Sequence, residues 1–233
     1  MDARPAQVVL LPSPLLGPSV WAPVAERLRH EGWLVDVCRL PTAPVSPRDV
    51  LAAFLEVLTP GRPVVLVPHS NAGLYVPQLV HEREVVATVF VDAALAPAEG
   101  AAPLAPDSFR AFLETRADAD GLLPPWTRWW DDADVAGLFP DAATRLRVEE
   151  EQQRLPLAYF RDSLPGPAGW AHRPNAYLAF GDTYDEERRQ AGVWQWPVET
   201  LDGEHLHLLV APDDVATTVT ALLARLDVHP PGV

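Results

Sequence analysis

The chain contains no lysine. All 18 basic residues are arginine, set against 32 aspartates and glutamates, and the formal charge is −14. So acidic a protein repels nucleic-acid backbones and anionic membrane surfaces, and neither is expected as a partner. There is one cysteine, Cys38, so no internal disulfide can form and a reducing cytoplasm is the expected compartment. No apolar run approaches the roughly 20 residues that a membrane span needs. After the opening MDARPAQ, the apolar run Val8 to Leu11 stops at Pro12, too short for the core of a secretion signal. The sequence has no internal repeat, no C-x-x-C, no G-x-G-x-x-G and no cluster with metal-ligand spacing. Zinc, redox-disulfide and dinucleotide chemistry therefore have no support, and no metal or cofactor is expected.

What is present is a length of 233 residues, with 48% of them apolar, enough for one large α/β domain. Short β-rich runs alternate with helix-length amphipathic stretches, the pattern of a mostly parallel sheet of about six strands flanked by helices. The spacing predicts strands at 7–11 (QVVLL), 33–40, 63–67, 85–93, 175–181 and 196–201. Helices are predicted at 21–32, 46–61, 72–82, near 184–191 and at 211–226. Ser46 should cap the second of these, with Pro47 at its first position and Gly61 beyond its end. Between about 97 and 172 the rhythm breaks. That stretch is rich in proline and acid, holds four of the eight tryptophans, and offers helix-like pieces at 108–117 and 142–154 with no β-rich run. The expected organisation is an α/β core, 1–96 and 173–233, with a helical cap or lid at 97–172.

Parallel α/β sheets bind ligands beyond the carboxyl ends of their strands. Polar residues at those ends are Ser13, then His69 to Asn71, then Asp92, then Asp182 and Asp185, then Glu204 to His207. A hydroxyl, a carboxylate and an imidazole are the groups that nucleophilic acyl transfer requires: one to attack, one to move the proton, one to orient the imidazole and stabilise its charge. Ser70 follows the buried run VVLV and precedes Asn71, Ala72 and Gly73, as a serine at a sharp strand-to-helix corner would.

On these residues the whole chain resembles the α/β-hydrolase superfamily, in particular its small helical-cap members of the salicylate-esterase and hydroxynitrile-lyase group. The superfamily's elbow is G-x-S-x-G. Here Ala72 keeps the small residue after Ser70, while Pro68 replaces the one before it. In GEHLHLLVAP (203–212), a proline seven residues beyond His205 matches the family's register and marks His205 as the base, with His207 as packing. The resemblance places the acid about nine residues after Pro174. That lands on Thr183, flanked by Asp182 and Asp185, and the superfamily's other acid position corresponds to Asp92. Asp92 is taken as the acid, with Asp185 and Asp182 as the alternatives.

Aligning Gly17 and Trp21 with the family's glycine and tryptophan puts Pro14 where a backbone N–H should help to form the oxyanion hole, and proline has none. Asn71 would still supply its N–H, with Leu15 or the Ser13 hydroxyl as substitutes. His69 and Tyr184 could reach the pocket or simply pack. Trp126, Trp129 and Trp130 could roof a hydrophobic substrate or pin the cap to the core. The reading that follows is a cofactor-independent serine hydrolase of a small, largely apolar ester, thioester or lactone. The alternatives are a lyase, isomerase or cyclase that uses Ser70 and His205 without an acyl-enzyme, and a non-catalytic binding protein on the same scaffold.

Overall fold

A computed structural model describes residues 6–42 and 46–231. Residues 1–5, on which the reading of the chain's opening partly rests, lie outside the described residues. The elements run β1 (Gln7–Leu11), α1 (Ala22–His30), β2 (Val35–Val37), α2 (Pro47–Val57), β3 (Val64–Ser70), α3 (Val76–Glu82) and β4 (Val85–Ala93). They continue β5 (Ala102–Pro103), α4 (Asp107–Glu114), α5 (Asp132–Ala136), α6 (Ala142–Glu151), β6 (Ser163–Leu164), β7 (Asn175–Phe180), α7 (Asp185–Val193), β8 (Val198–Leu201), α8 (His207–Val210) and α9 (Pro212–Arg225).

Six strands form one parallel sheet in the order β2-β1-β3-β4-β7-β8. Strands β1, β3 and β7 are buried along their whole length, which is why they read as unbroken apolar runs rather than alternating ones. Helix α2 starts as its sequence dictates. Ser46 accepts the Asp49 N–H, the Asp49 carboxylate accepts the Ser46 N–H, and Pro47 occupies the first turn, where no N–H is needed. Helix α1 packs against α9, and α2 against α3. Among the described residues no helix is long and apolar enough to cross a membrane. Cys38 is buried with its thiol pushed up to about 12, first by desolvation and then by Glu56, so it is inert.

Two expectations need correction. The strand predicted at 33–40 is only Val35–Val37, because it lies at the sheet edge and is held by β1 alone. The stretch 97–172 is not purely helical: β5 and β6 form an antiparallel ribbon, and Leu122 bridges to Pro156. These pairings join residues far apart in the chain and are too short to leave a period in the sequence.

Candidate active site

Ser70 ends β3 with φ 57° and ψ −132°, a backbone conformation that L-residues rarely occupy. The chain turns there directly into the 3₁₀ helix Asn71–Tyr75 and then α3. The corner is possible because the following residues are small. A Cβ on Gly73 would stand 2.1 Å from the Ala94 carbonyl oxygen, and Ala94 in turn donates its N–H to the Ser70 carbonyl at 3.0 Å. Pro68 is accommodated in β3 opposite Leu11.

Asp92 is placed by a bulge. The register between β3 and β4 passes from His69↔Val91 to Ser70↔Ala93, leaving Asp92 as the extra residue, with φ 40°. The Tyr177 hydroxyl clamps the bulge, donating to the Ala93 carbonyl at 2.7 Å and accepting the Ala93 N–H at 3.1 Å. Asp92 is fully buried. Its Oδ1 accepts the Phe180 N–H at 3.0 Å, and its Oδ2 lies 2.6 Å from His205 Nδ1. Of the three candidate aspartates, Asp92 is therefore the one that reaches the imidazole. Asp185 starts α7 and is engaged by Arg188 and Arg189, which hold its carboxyl below the usual range. Asp182 sits on the exposed loop after β7, and the His205 Nδ1 that it would have to reach is taken by Asp92.

His205 is itself held by its neighbours. His69 stacks on it with ring centroids 4.6 Å apart, and His69 Nε2 donates to the His205 carbonyl at 3.1 Å. Complete burial, reinforced by the neighbouring His205, keeps the His69 pKa well below the ordinary histidine value, so His69 is neutral. His69 packs behind His205, against Trp21, and does not line the cavity. His207 packs on Phe180 and against Gly203, away from Asp92.

Ser70 and His205 both open into a cavity of about 880 Å³ at the carboxyl ends of the strands. The lining is largely apolar, with Leu15, Leu74, Leu95, Leu104, Phe109, Val135 and Leu138, and its charged members are all acidic apart from His205: Asp134, Asp182, Asp185, Glu186, Glu187 and Glu204, with no arginine among the described lining residues. Trp126 and Trp130 face the cavity, the Trp126 ring 6.0 Å from that of His205. Trp129 does not: it is buried beside Phe109 and Phe160 and donates its indole N–H to the Pro124 carbonyl at 2.8 Å. Tyr184 lines the cavity with its hydroxyl 3.3 Å from Ser70 Oγ, and burial raises its pKa so that it keeps its proton.

The loop after β1 offers less than the sequence allowed. The Leu15 N–H points back to the Ser13 hydroxyl at 3.3 Å, and Ser13 is fully buried without lining the cavity. Neither is presented to a ligand as a hydrogen-bond donor. The Asn71 side chain is occupied as well, donating to the Leu104 carbonyl at 3.2 Å and accepting from the Tyr159 hydroxyl at 3.1 Å; the Tyr159 hydroxyl lies 2.6 Å from that of Tyr75. This chain of hydroxyls ties the corner to the segment above it. Sequence reasoning missed Tyr159, Tyr75 and Tyr177, whose partners lie far away in the chain.

No protein-family model matches the sequence, and neither does any curated protein. Solved structures do. An extracellular α/β-hydrolase from a Paenibacillus species, described as sharing structural and functional homology with tobacco salicylic acid binding protein 2, superimposes with a TM-score of 0.74 at 15% identity, covering 94% of this chain and 99% of that one. A histidine-to-alanine variant of tomato methylketone synthase I, complexed with beta-ketoheptanoate, gives 0.74 at 13% identity over 97% and 100% of the two chains. Polyneuridine aldehyde esterase gives 0.66 at 15% identity over 95% and 99%. Identities this low carry architecture alone, and together with the six-stranded parallel sheet flanked by helices that architecture shows that the chain has the α/β-hydrolase fold.

Proposed function

We propose that the protein is a cofactor-independent serine hydrolase of a small, largely apolar, uncharged ester, thioester or lactone. The observation that carries this reading is the buried 2.6 Å contact between His205 Nδ1 and Asp92, set beside a serine held at positive φ over the same cavity. With Nδ1–H donated to the carboxylate, the Nε2 lone pair is free to take the Ser70 proton. Ser70 Oγ then bonds to the substrate carbonyl carbon, and the developing oxyanion accepts the Asn71 N–H. The Nε2 proton passes to the leaving group as the intermediate collapses, and water attacks the acyl-enzyme by the same route in reverse. The segment 97–172 acts as the cap, contributing Leu104, Phe109, Trp126, Trp130 and Val135 to the cavity. The acidic residues of the lining disfavour a carboxylate-bearing substrate. The lone buried cysteine keeps the cytoplasm as the proposed compartment.

The loop after β1 also favours a second reading. With Pro14 lacking an N–H and that of Leu15 turned to Ser13, the oxyanion is left with one backbone donor, and losing such a donor costs roughly 10²- to 10³-fold in rate. A lyase, isomerase or cyclase step using Ser70 and His205 for proton transfer alone would not need the second donor. Intact-mass analysis after incubation with a reactive fluorophosphonate separates the two. Acyl transfer predicts one adduct, absent from Ser70→Ala and strongly slowed in His205→Ala. A native protein that stays unlabelled while turning over substrate in the Ser70→Ala form would sink the hydrolase reading.

A further inference from the structure

We infer that Tyr184 is a catalytic hydrogen-bond donor on the leaving-group side of the reaction, stabilising the oxygen that departs when the tetrahedral intermediate collapses. This rests on the serine-hydrolase reading above. Sheet order fixes the side. Ser70 ends β3; the Ser13 to Leu15 loop follows β1 on one flank, while Asp92 lies near the end of β4 and Tyr184 and His205 follow β7 and β8 on the other. The oxyanion belongs with the Asn71 N–H, and the departing oxygen belongs with the imidazole that must protonate it, so a donor arriving from beyond β7 reaches the latter. In the free protein the Tyr184 hydroxyl is 3.3 Å from Ser70 Oγ, long for an O–H···O bond and easily exchanged. Once Ser70 Oγ has bonded to the carbonyl carbon, that carbon also carries the departing oxygen, so a donor beside the first oxygen is within reach of the second.

The step balances without net proton transfer from Tyr184. The bond from carbon to the leaving oxygen breaks, its electron pair stays on that oxygen, and the proton that His205 took from Ser70 completes the alcohol. Tyr184 donates a hydrogen bond as the charge builds and keeps its own proton, consistent with the burial that holds it neutral. A group in this role matters in proportion to the charge on the departing oxygen. It does little for a leaving group that is already a stable anion and much for a simple alkoxide.

The test compares the native protein with Tyr184→Phe on butyrate esters that share one acyl group and differ in leaving group: p-nitrophenyl, phenyl, trifluoroethyl and ethyl. The readout is kcat/KM, which reports acylation. The expected loss is under about threefold for p-nitrophenyl butyrate and grows to roughly 10- to 100-fold for ethyl butyrate, the range of a hydrogen bond to a charged group. The fluorophosphonate adduct on Ser70 should persist in Tyr184→Phe, because fluoride leaves without a proton, and its persistence shows the variant is folded. A loss that is the same for all four esters, or no loss at all, overturns the assignment, since a packing residue or an oxyanion donor would not sort substrates by leaving group. If the native protein forms no adduct and cleaves none of the esters, the serine-hydrolase reading fails and takes the Tyr184 assignment with it. That outcome is distinct from a native protein that is active and a variant that shows no gradient.

Discussion

Asp92→Asn exchanges a buried carboxylate for an amide of the same shape, and the surroundings dictate how that amide must sit. The Phe180 N–H, now accepted by Oδ1 at 3.0 Å, requires an oxygen, so the amide oxygen stays on that side and the NH₂ group turns to His205. A donor facing Nδ1 forces that nitrogen to present its lone pair. The ring proton moves to Nε2, the atom that has to accept from Ser70. The charge is lost as well: at about 4 Å and an effective dielectric near 20, a carboxylate stabilises an imidazolium by about 4 kcal/mol. That alone converts to about 10³-fold in rate, and with the wrong tautomer added the expected fall in kcat/KM is roughly 10³- to 10⁴-fold. The assay is hydrolysis of p-nitrophenyl butyrate together with the rate of fluorophosphonate labelling, with thermal melting to show that the variant folds. Asp182→Asn and Asp185→Asn should stay within about threefold of the native rate. An Asp92→Asn protein within tenfold of native, or an Asp185→Asn protein that falls as far, would refute the assignment of the acid.

Gly73→Ala should give insoluble or grossly destabilised protein, by about 3 kcal/mol or more in a urea melt, because backbone on both sides must move to relieve a Cβ 2.1 Å from the Ala94 oxygen; a variant as stable as the native chain would show that the corner is not packed this tightly. His69 should make stability fall on acidification. Its pKa in the folded protein lies well below the ordinary 6.5, so below about pH 6.5 the unfolded chain binds a proton that the folded one refuses, and stability drops by up to about 1.4 kcal/mol per pH unit. Urea midpoints measured from pH 7.5 to 5 should show this slope, reduced in His69→Phe, and an unchanged slope in that variant would mean that other groups set it.

The fold was legible because its signals are local. Each buried strand is an unbroken apolar run, and α2 announces itself through Ser46 and Pro47 at its start and Gly61 beyond its end. That Ser70 sits at a strand-to-helix corner and that His205 faces the same cavity was legible for the same reason, each being marked by a short motif in its own loop. Asp92 could only be one of three, because its selection depends on a bulge between β3 and β4 and on a clamp from Tyr177, neither of which has a sequence period. The three tryptophans read alike in sequence but part in space: Trp126 and Trp130 face the cavity, and Trp129 fills the interior of the segment above it. Leu15 and Ser13 satisfy each other instead of a ligand, a pairing two residues apart that turn chemistry could have suggested.

The position of the acid and the position of Tyr184 are two sides of one arrangement. A carboxylate reaching His205 Nδ1 from beyond β7 would have to occupy the space next to the imidazole and would commit that loop to the base. Here Asp92 comes instead from β4, the strand adjacent to β3, and meets Nδ1 from within the sheet layer at no solvent exposure. The loop after β7 is thereby released: its Asp185 turns to Arg188 and Arg189 in the first turn of α7, where a negative charge also favours the helix dipole, and its Tyr184 enters the cavity over Ser70. A tyrosine can take that place where an aspartate could not. Desolvation leaves the phenol neutral and able to donate, whereas a second carboxylate within reach of Ser70 Oγ would repel the charge that builds there during attack. On the proposed assignment, an acid supplied by β4 rather than by the loop after β7 leaves the imidazole with a hydroxyl donor beside it.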